Sequence, residues 1–196
     1  MALELVSATT NPHKLLEIEA ILGTAVVLLP RPSHIPDVVE DAPTLAGNAR
    51  LKAGTICQAL GSAAVADDTG LEVDALSGAP GVHTARYAGP NAADADNIAK
   101  LLDELANAAF AARTARFRTV AVVVWPDRSE LLAEGVVEGH IRQRPSGTGG
   151  FGYDPVFEPD EAPGLTFAEM SDQAKNRISH RGRAFRELLV GLRARP

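Results

Sequence analysis

Leu3-Glu4-Leu5-Val6-Ser7-Ala8-Thr9-Thr10-Asn11-Pro12-His13-Lys14 passes from a short apolar run straight into a helix start. Leu3 to Ala8 reads as a buried strand. Thr9, Thr10 and Asn11 can cap a helix, and Pro12 suits its first turn, where no amide hydrogen is required. Leu15, Leu16, Ile18, Ile21 and Leu22 then recur with helical spacing, and Gly23 ends the run. The alternation continues outward. Ala25 to Leu29 is a second strand, and Pro30 to Pro43, with four prolines, is an ordered loop. Thr44 to Leu60 is a helix with Ala49, Ala53, Ile56 and Leu60 on one face. Ala63 to Ala66 is a short buried strand ending on Asp67-Asp68.

Leu71 to Pro90 carries many Gly and Pro and reads as an extended loop of the kind that often bears function. Asp94 to Leu105 is an amphipathic helix through Ile98, Leu101, Leu102 and Leu105. Arg116 to Trp125 and Glu130 to Ile141 read as long antiparallel strands around the turn Pro126-Asp127-Arg128. Ala174 to Leu192 reads as a last helix, with Ser179-His180-Arg181 as a turn near its start. No repeat or linker divides the 196 residues, so a single domain over 1–196 is expected. Strand–helix alternation followed by paired strands predicts an α/β protein on a mixed sheet.

Nineteen basic and twenty-five acidic residues give a net charge of −6. That balance argues against duplex nucleic acid or an anionic membrane as the partner, since both favour a basic surface. A small anionic ligand then needs a local basic pocket or a metal. Cys57 is the only cysteine, which excludes an internal disulfide and a cysteine-based zinc site. Glu4 stands where a signal peptide favours basic residues, and no apolar run approaches the ~20 residues of a membrane span. A cytoplasmic location is expected.

Several segments carry residues suited to chemistry. Gly147-Thr148-Gly149-Gly150-Phe151-Gly152-Tyr153-Asp154-Pro155 places four glycines in six positions around a phenylalanine. It reads either as a tight turn with an aromatic anchor or as a backbone shaped to hold a flat ring, with Phe151 as the face and Asp154 as a polar contact. Thr9 to Lys14 is either an ordinary helix cap or a phosphate cradle with a lysine one turn in. Asp67-Asp68-Thr69-Gly70 is either a solvated acidic turn or a site for a hard divalent ion such as Mg²⁺. Glu40 could add an oxygen, and one carboxylate of the pair could serve as a general base for water. Lys175, with Ser179-His180-Arg181, sets several donors near a helix end, suited to a carbonyl or a phosphate. Taken together these are the parts of a nucleoside triphosphate site.

The chain resembles the inosine triphosphate pyrophosphatase family, which hydrolyses deaminated purine nucleoside triphosphates to the monophosphate and pyrophosphate. The resemblance covers nearly the whole length and follows the family's order of markers. These are Ala8 to Lys14, Thr44 with Asn48-Ala49, Ala66-Asp67-Asp68-Thr69-Gly70-Leu71, Gly78-Ala79-Pro80-Gly81 with Ala85-Arg86-Tyr87, Gly147 to Pro155, and Ser179-His180-Arg181-Gly182. It implies a homodimer whose elongated mixed sheet, with flanking helices, forms two lobes around a central substrate cleft, and it implies dependence on Mg²⁺. Carried over, Asp68 is the catalytic carboxylate, and Glu40 with Asp68 binds the metal. Thr9, Thr10, Asn11, Pro12, His13 and Lys14 contact the phosphates. Phe151, Gly152, Tyr153, Asp154, Lys175, His180 and Arg181 contact base and sugar, and Thr69 is a further substrate contact. His180 and Arg181 are the expected donors to the purine 6-carbonyl.

Gly47 stands where the family commonly has an acidic residue, Thr10 where it usually has glycine, and Thr69 where it usually has serine. Two competing functions are a related pyrophosphatase for other modified nucleotides and a non-catalytic nucleotide-binding regulator. The Asp67-Asp68 pair and Lys175 argue against the regulator.

Overall fold

The structure is a computed structural model, and it describes residues 2–195. Strands β1 (Leu3–Ser7), β2 (Val26–Leu29), β3 (Ala64–Val73), β4 (Pro80–Gly81), β5 (Thr114–Val124), β6 (Glu130–Ile141) and β7 (Phe157–Pro159) form one mixed sheet. Its order is β2-β1-β3-β5-β6-β7, with β4 paired to β3. β1 lies parallel to β2 and β3, whereas β4 and β7 run antiparallel to β3 and β6. The helices are α1 (Pro12–Leu22), α2 (Leu45–Leu60), α3 (Asp94–Glu104), α4 (Asp172–Ile178) and α5 (His180–Ala194). None of the described helices is long and apolar enough to cross a membrane.

Local sequence explains the helix ends. Asn11 caps α1, its side chain accepting from the amides of His13 and Lys14 at 3.0 and 3.3 Å, with Pro12 in the first turn. Thr44 caps α2 through the Gly47 amide, and Gly61 closes it in the left-handed conformation at φ 63°.

The chain divides into two compact units. Unit 1 comprises Met1–Asp68, Thr119–Gly135 and Arg181–Pro196, and unit 2 comprises Thr69–Arg118 and Val136–His180. In unit 1 the two faces of β3 enter different clusters. Val65 packs with Ile18 and Leu22 of α1 and with Phe185 and Leu188 of α5, while Ala64 and Ala66 pack with Ala53, Ile56 and Cys57 of α2. Burying a side chain the size of Phe185 or Leu188 contributes roughly 1.5–3 kcal/mol. In unit 2, Leu71, Val73, Ile98, Leu101, Phe117, Tyr153, Phe157 and Phe167 share one core.

The structure departs from the sequence reading in three places. β3 does not stop at Ala66 but continues to Val73, through Asp67 and Asp68. The expected loop from Leu71 therefore begins as strand, and part of the remainder is ordered as β4 and short 3₁₀ turns. The expected last helix is two helices, because Ser179 is extended (φ −64°, ψ 156°) and separates α4 from α5. β7, three residues long, had no distinguishing pattern in the sequence.

Candidate active site

The continuation of β3 decides where the two aspartates point. Successive side chains of a strand face opposite sides. Asp67 shares the side of Val65, toward α1 and α5, and Asp68 shares the side of Ala64 and Ala66, toward α2. Alternation thus separates the adjacent carboxylates, and neither is solvated: both are buried, so the acidic-turn reading does not hold. Each finds its own partners instead, all within unit 1.

Asp67 is 1% exposed. Its Oδ2 lies 3.3 Å from Lys14 Nζ and accepts from Nε and Nη2 of Arg181, both at 3.2 Å. Arg181, itself 2% exposed, also donates through Nη1 to Glu17 on α1. Burial alone would raise the Asp67 pKa, but Lys14 and then Arg181 outweigh it, and the carboxyl is held far below its ordinary range. Burial lowers the Lys14 pKa, with Arg181 and Lys52 adding to the effect and Asp67 opposing it. Lys14, half-buried and crowded by other cations, is a place where an incoming anion gains most.

On the other side of β3, Asp68 Oδ1 meets Lys52 Nζ at 3.1 Å, and Oδ2 accepts from the Asn48 amide nitrogen at 3.1 Å. Lys52 also reaches Glu40 at 3.2 Å. Burial raises the Asp68 pKa; Lys52 opposes that and Glu40 reinforces it, so the net direction is upward. Burial disfavours the Lys52 ammonium, yet Asp68, Asp67 and Glu40 outweigh it and raise its pKa. Glu40 and Asp68 therefore aim oxygens at one positive charge, as the ligands of a single cation must. Two hard carboxylate oxygens, completed by water and substrate phosphate, suit Mg²⁺. Among the described residues no group of three His, Cys, Asp or Glu forms a fuller cage.

Thr9 and Asn11 in the phosphate-loop candidate are half-buried, and Thr10, Pro12 and His13 are exposed. Thr9 Oγ1 accepts the Asn11 amide at 3.2 Å, so the segment is a built cap with Lys14 projecting beyond it to Asp67. The cap reading and a phosphate role coexist here, because the Asn11 side chain occupies only the amides of His13 and Lys14 among the contacts described.

Unit 2 holds the aromatic residues of the candidate site. Phe151 is half-buried, and its amide donates to Asp154 Oδ2 at 2.9 Å. The same oxygen receives Lys175 Nζ at 2.6 Å, in a pair whose side chains are each 4% exposed. Lys175 Nζ also lies 4.9 Å from the Phe151 ring centre, so one cation braces both the turn and its ring. The glycines are dictated by close approach. A Cβ at Gly147 would lie 2.5 Å from the Ala168 carbonyl carbon, and one at Gly150 would lie 2.0 Å from Asp154 Oδ2, both at positive φ. The Gly152 amide donates to Asp94 at 2.7 Å, and the Tyr153 hydroxyl donates to the Thr84 carbonyl at 3.0 Å. Tyr153 is the buried aromatic anchor of this turn, leaving Phe151 more open. Thr69, half-buried, follows Asp68 on β3.

His180 is 4% exposed, and its ring stacks on Phe117 with centroids 4.5 Å apart. It was expected as a donor to the base; its ring is fixed by packing. Arg181 was expected beside it in the same role, and two carboxylates take three of its five N–H groups.

Two residues in these contacts, Glu17 and Lys52, did not stand out in the sequence, and Asn48 did so only as a marker of the resemblance, with no role attached. Asn48 and Lys52 adjoin the apolar stripe Ala49, Ala53 and Ile56 of α2, and Glu17 adjoins Ile18 of α1. A polar side chain bordering a buried stripe was the available signal.

Comparison with known proteins agrees with this arrangement of sheet and helices. The Ham1 family profile matches residues 5–190. A dITP/XTP pyrophosphatase of Streptomyces coelicolor is 45% identical over 194 residues, which is 96% of this chain and 96% of that protein. Another, from Porphyromonas gingivalis, is 49% identical over 188 residues, covering 94% of this chain and 95% of its own. The solved structure of a HAM1 protein from Coxiella burnetii superposes with a TM-score of 0.88 at 39% identity, over 98% of this chain and all of the other.

Proposed function

The chain belongs to the Ham1 family, and from that premise we propose that it is a dITP/XTP pyrophosphatase, an enzyme that removes deaminated purine nucleotides as monophosphate and pyrophosphate. The reading includes inosine triphosphate as a substrate, dependence on Mg²⁺, a homodimer and a cytoplasmic setting. The observation that carries it is the convergence of Glu40 and Asp68 on one positive charge, with Lys14 and Arg181 on the other side of the same strand. A protein of net charge −6 binds a polyanion only through such a local concentration of cations.

Glu40 and Asp68 would hold Mg²⁺. Bound there, it would neutralise charge on the leaving pyrophosphate and polarise the phosphate under attack. Asp68 orients the attacking water and accepts its proton as the water oxygen bonds to the α phosphorus and the bond to the β-phosphate oxygen breaks. Lys14 supplies charge to the triphosphate, which Thr9 to His13 and Thr69 help to seat. Lys52 holds Asp68 and Glu40 in register.

Phe151 stacks on the base, and Gly152, Tyr153, Asp154 and Lys175 shape that platform. Stacking does not distinguish bases, because every purine has a π face. Selection therefore rests on the edge. Hypoxanthine and xanthine carry a carbonyl at position 6, where adenine carries an amino donor. Donors from His180 and Arg181 match the carbonyl. Their fixed orientations, one by stacking and one by ion pairing, prevent them from turning to suit the amine.

The test is kcat/KM over a panel of nucleoside triphosphates with Mg²⁺. Deoxyinosine, inosine and xanthosine triphosphates are expected to exceed adenosine triphosphate by at least ~10²-fold, the size of losing a charge-assisted hydrogen bond while a donor is left facing a donor. Equal efficiency on adenosine triphosphate would remove the assignment.

A further inference from the structure

Asn48 is fully buried on α2 and makes two side-chain hydrogen bonds that fix one another. Its carbonyl oxygen accepts the Ala42 amide at 3.0 Å, and its amide nitrogen donates to Asp68 Oδ2 at 3.1 Å. A backbone N–H can only donate, so the carboxamide cannot turn over without setting donor against donor. One helical turn along the same face, Lys52 holds the other oxygen of Asp68 at 3.1 Å and reaches Glu40 at 3.2 Å. The two oxygens of Asp68 are thus held separately, one by a neutral amide and one by an ammonium.

Ala42 lies two residues beyond Glu40. The Asn48 carboxamide therefore ties Asp68 to the backbone of the loop that carries Glu40. Packing keeps this tie short. A Cβ at Gly47 would lie 2.6 Å from Ala42 Cβ and 3.1 Å from Thr44 Oγ1. Any side chain at 47 would push Ala42 away from Asn48.

We propose that Asn48 is a positioning residue that sets the spacing of Asp68 and Glu40 for a divalent cation, with Gly47 as the gap that lets the Glu40 loop close against it. The inference rests on the reading of Glu40 and Asp68 as the metal-binding pair. It gives Gly47 a purpose: where the resembling family commonly has an acidic side chain, this chain uses the absence of one to bring the loop onto the helix. Residues that orient metal ligands from behind are typically worth 10–100-fold in metal affinity.

The experiment is calorimetric titration of magnesium chloride into nucleotide-free protein, with the melting temperature of each variant measured in parallel. Asn48→Leu keeps the volume but removes both hydrogen bonds, and is expected to weaken Mg²⁺ binding by about tenfold or more. Gly47→Ala changes none of the side chains of Asn48, Asp68 and Glu40, but its Cβ displaces Ala42; the gain in helix propensity offsets part of that cost, so the fold is retained with a melting temperature at or modestly below native. Its Mg²⁺ affinity should nonetheless fall several-fold. Should Asn48→Leu fail to fold, Gly47→Ala alone decides. A merely structural Asn48 would lower the melting temperature of Asn48→Leu while leaving Mg²⁺ affinity unchanged in both folded variants, and that result overturns the proposal alone. A native protein that hydrolyses inosine triphosphate yet takes up no Mg²⁺ would overturn the metal-pair reading and the proposal with it.

Discussion

Asp68→Asn is expected to lower turnover of inosine triphosphate by ~10² or more, the usual worth of a positioned base together with a metal contact. The substitution keeps the shape of the side chain and removes its charge. Lys14, Phe151 and Lys175 are untouched, so nucleotide affinity should stay within a few-fold of native. Stability is set by two opposed effects. Burial first, and Glu40 after it, disfavour the ionised form despite Lys52, so the folded-state pKa lies above the unfolded one. For an acid shifted in that direction, ionisation opposes folding at neutral pH and the penalty disappears as pH falls. Asp68→Asn removes that penalty, but it sets an amide donor against either Lys52 Nζ or the Asn48 amide nitrogen and takes from Lys52 the carboxylate it rests on, so the melting temperature is expected to fall. Steady-state kinetics and calorimetry on one preparation check both. Near-native turnover would remove Asp68 from the chemistry and transfer its role to Asp67.

Arg181→Leu is expected to be the most destabilising single change in unit 1. Arg181 is buried and pairs with both Asp67 and Glu17, and removing it takes away the cation that the two carboxylates share, leaving Asp67 its pair with Lys14. Breaking a buried pair in this way costs about 3–5 kcal/mol. For a chain of this size that corresponds to a fall in melting temperature of roughly 10 °C or more. Arg181→Lys should recover part of the loss, since it restores charge but not the planar fork that spans both partners. The pH dependence has a definite sign. The Asp67 pKa is depressed on folding, so its contribution is present above the ordinary carboxylate range and is lost as pH falls through the lowered value. In Arg181→Leu much of that contribution is missing at neutral pH as well, and the difference from native should shrink in acid. A melting temperature within a degree or two of native would mean that water or other groups already satisfy the carboxylates. Because of this stability effect, activity of Arg181 variants reports on base selection only after the folded fraction has been measured.

The strand–helix alternation, the Asn11 and Thr44 caps and the β5–β6 pair were legible because each depends on residues close in sequence. The course of β3 was not. Two aspartates and a glycine look like the end of a strand, and what allows them inside one comes from elsewhere in the chain. Lys52 lies 16 residues from Asp68, and Arg181 lies 114 residues from Asp67. Glu17, 164 residues from Arg181, is out of reach of any local pattern. Ser179-His180-Arg181 was read as a turn near the start of one last helix, and only the extent of the break was missed. That Ser179 is extended and divides the segment into two helices became visible in its backbone angles. Glycine spacing marked the Phe151 turn correctly as unusual, yet the cause of two of those glycines is contact with Ala168 and Asp154, which spacing does not reveal.

Hydrolysis of deoxyinosine triphosphate in water enriched in heavy oxygen, with separate quantification of pyrophosphate and orthophosphate, tests the central assignment most directly. Attack at the α phosphorus gives one intact pyrophosphate per monophosphate, with the heavy oxygen in the monophosphate alone. Orthophosphate released stepwise through the diphosphate, or heavy oxygen found in the pyrophosphate, would contradict it.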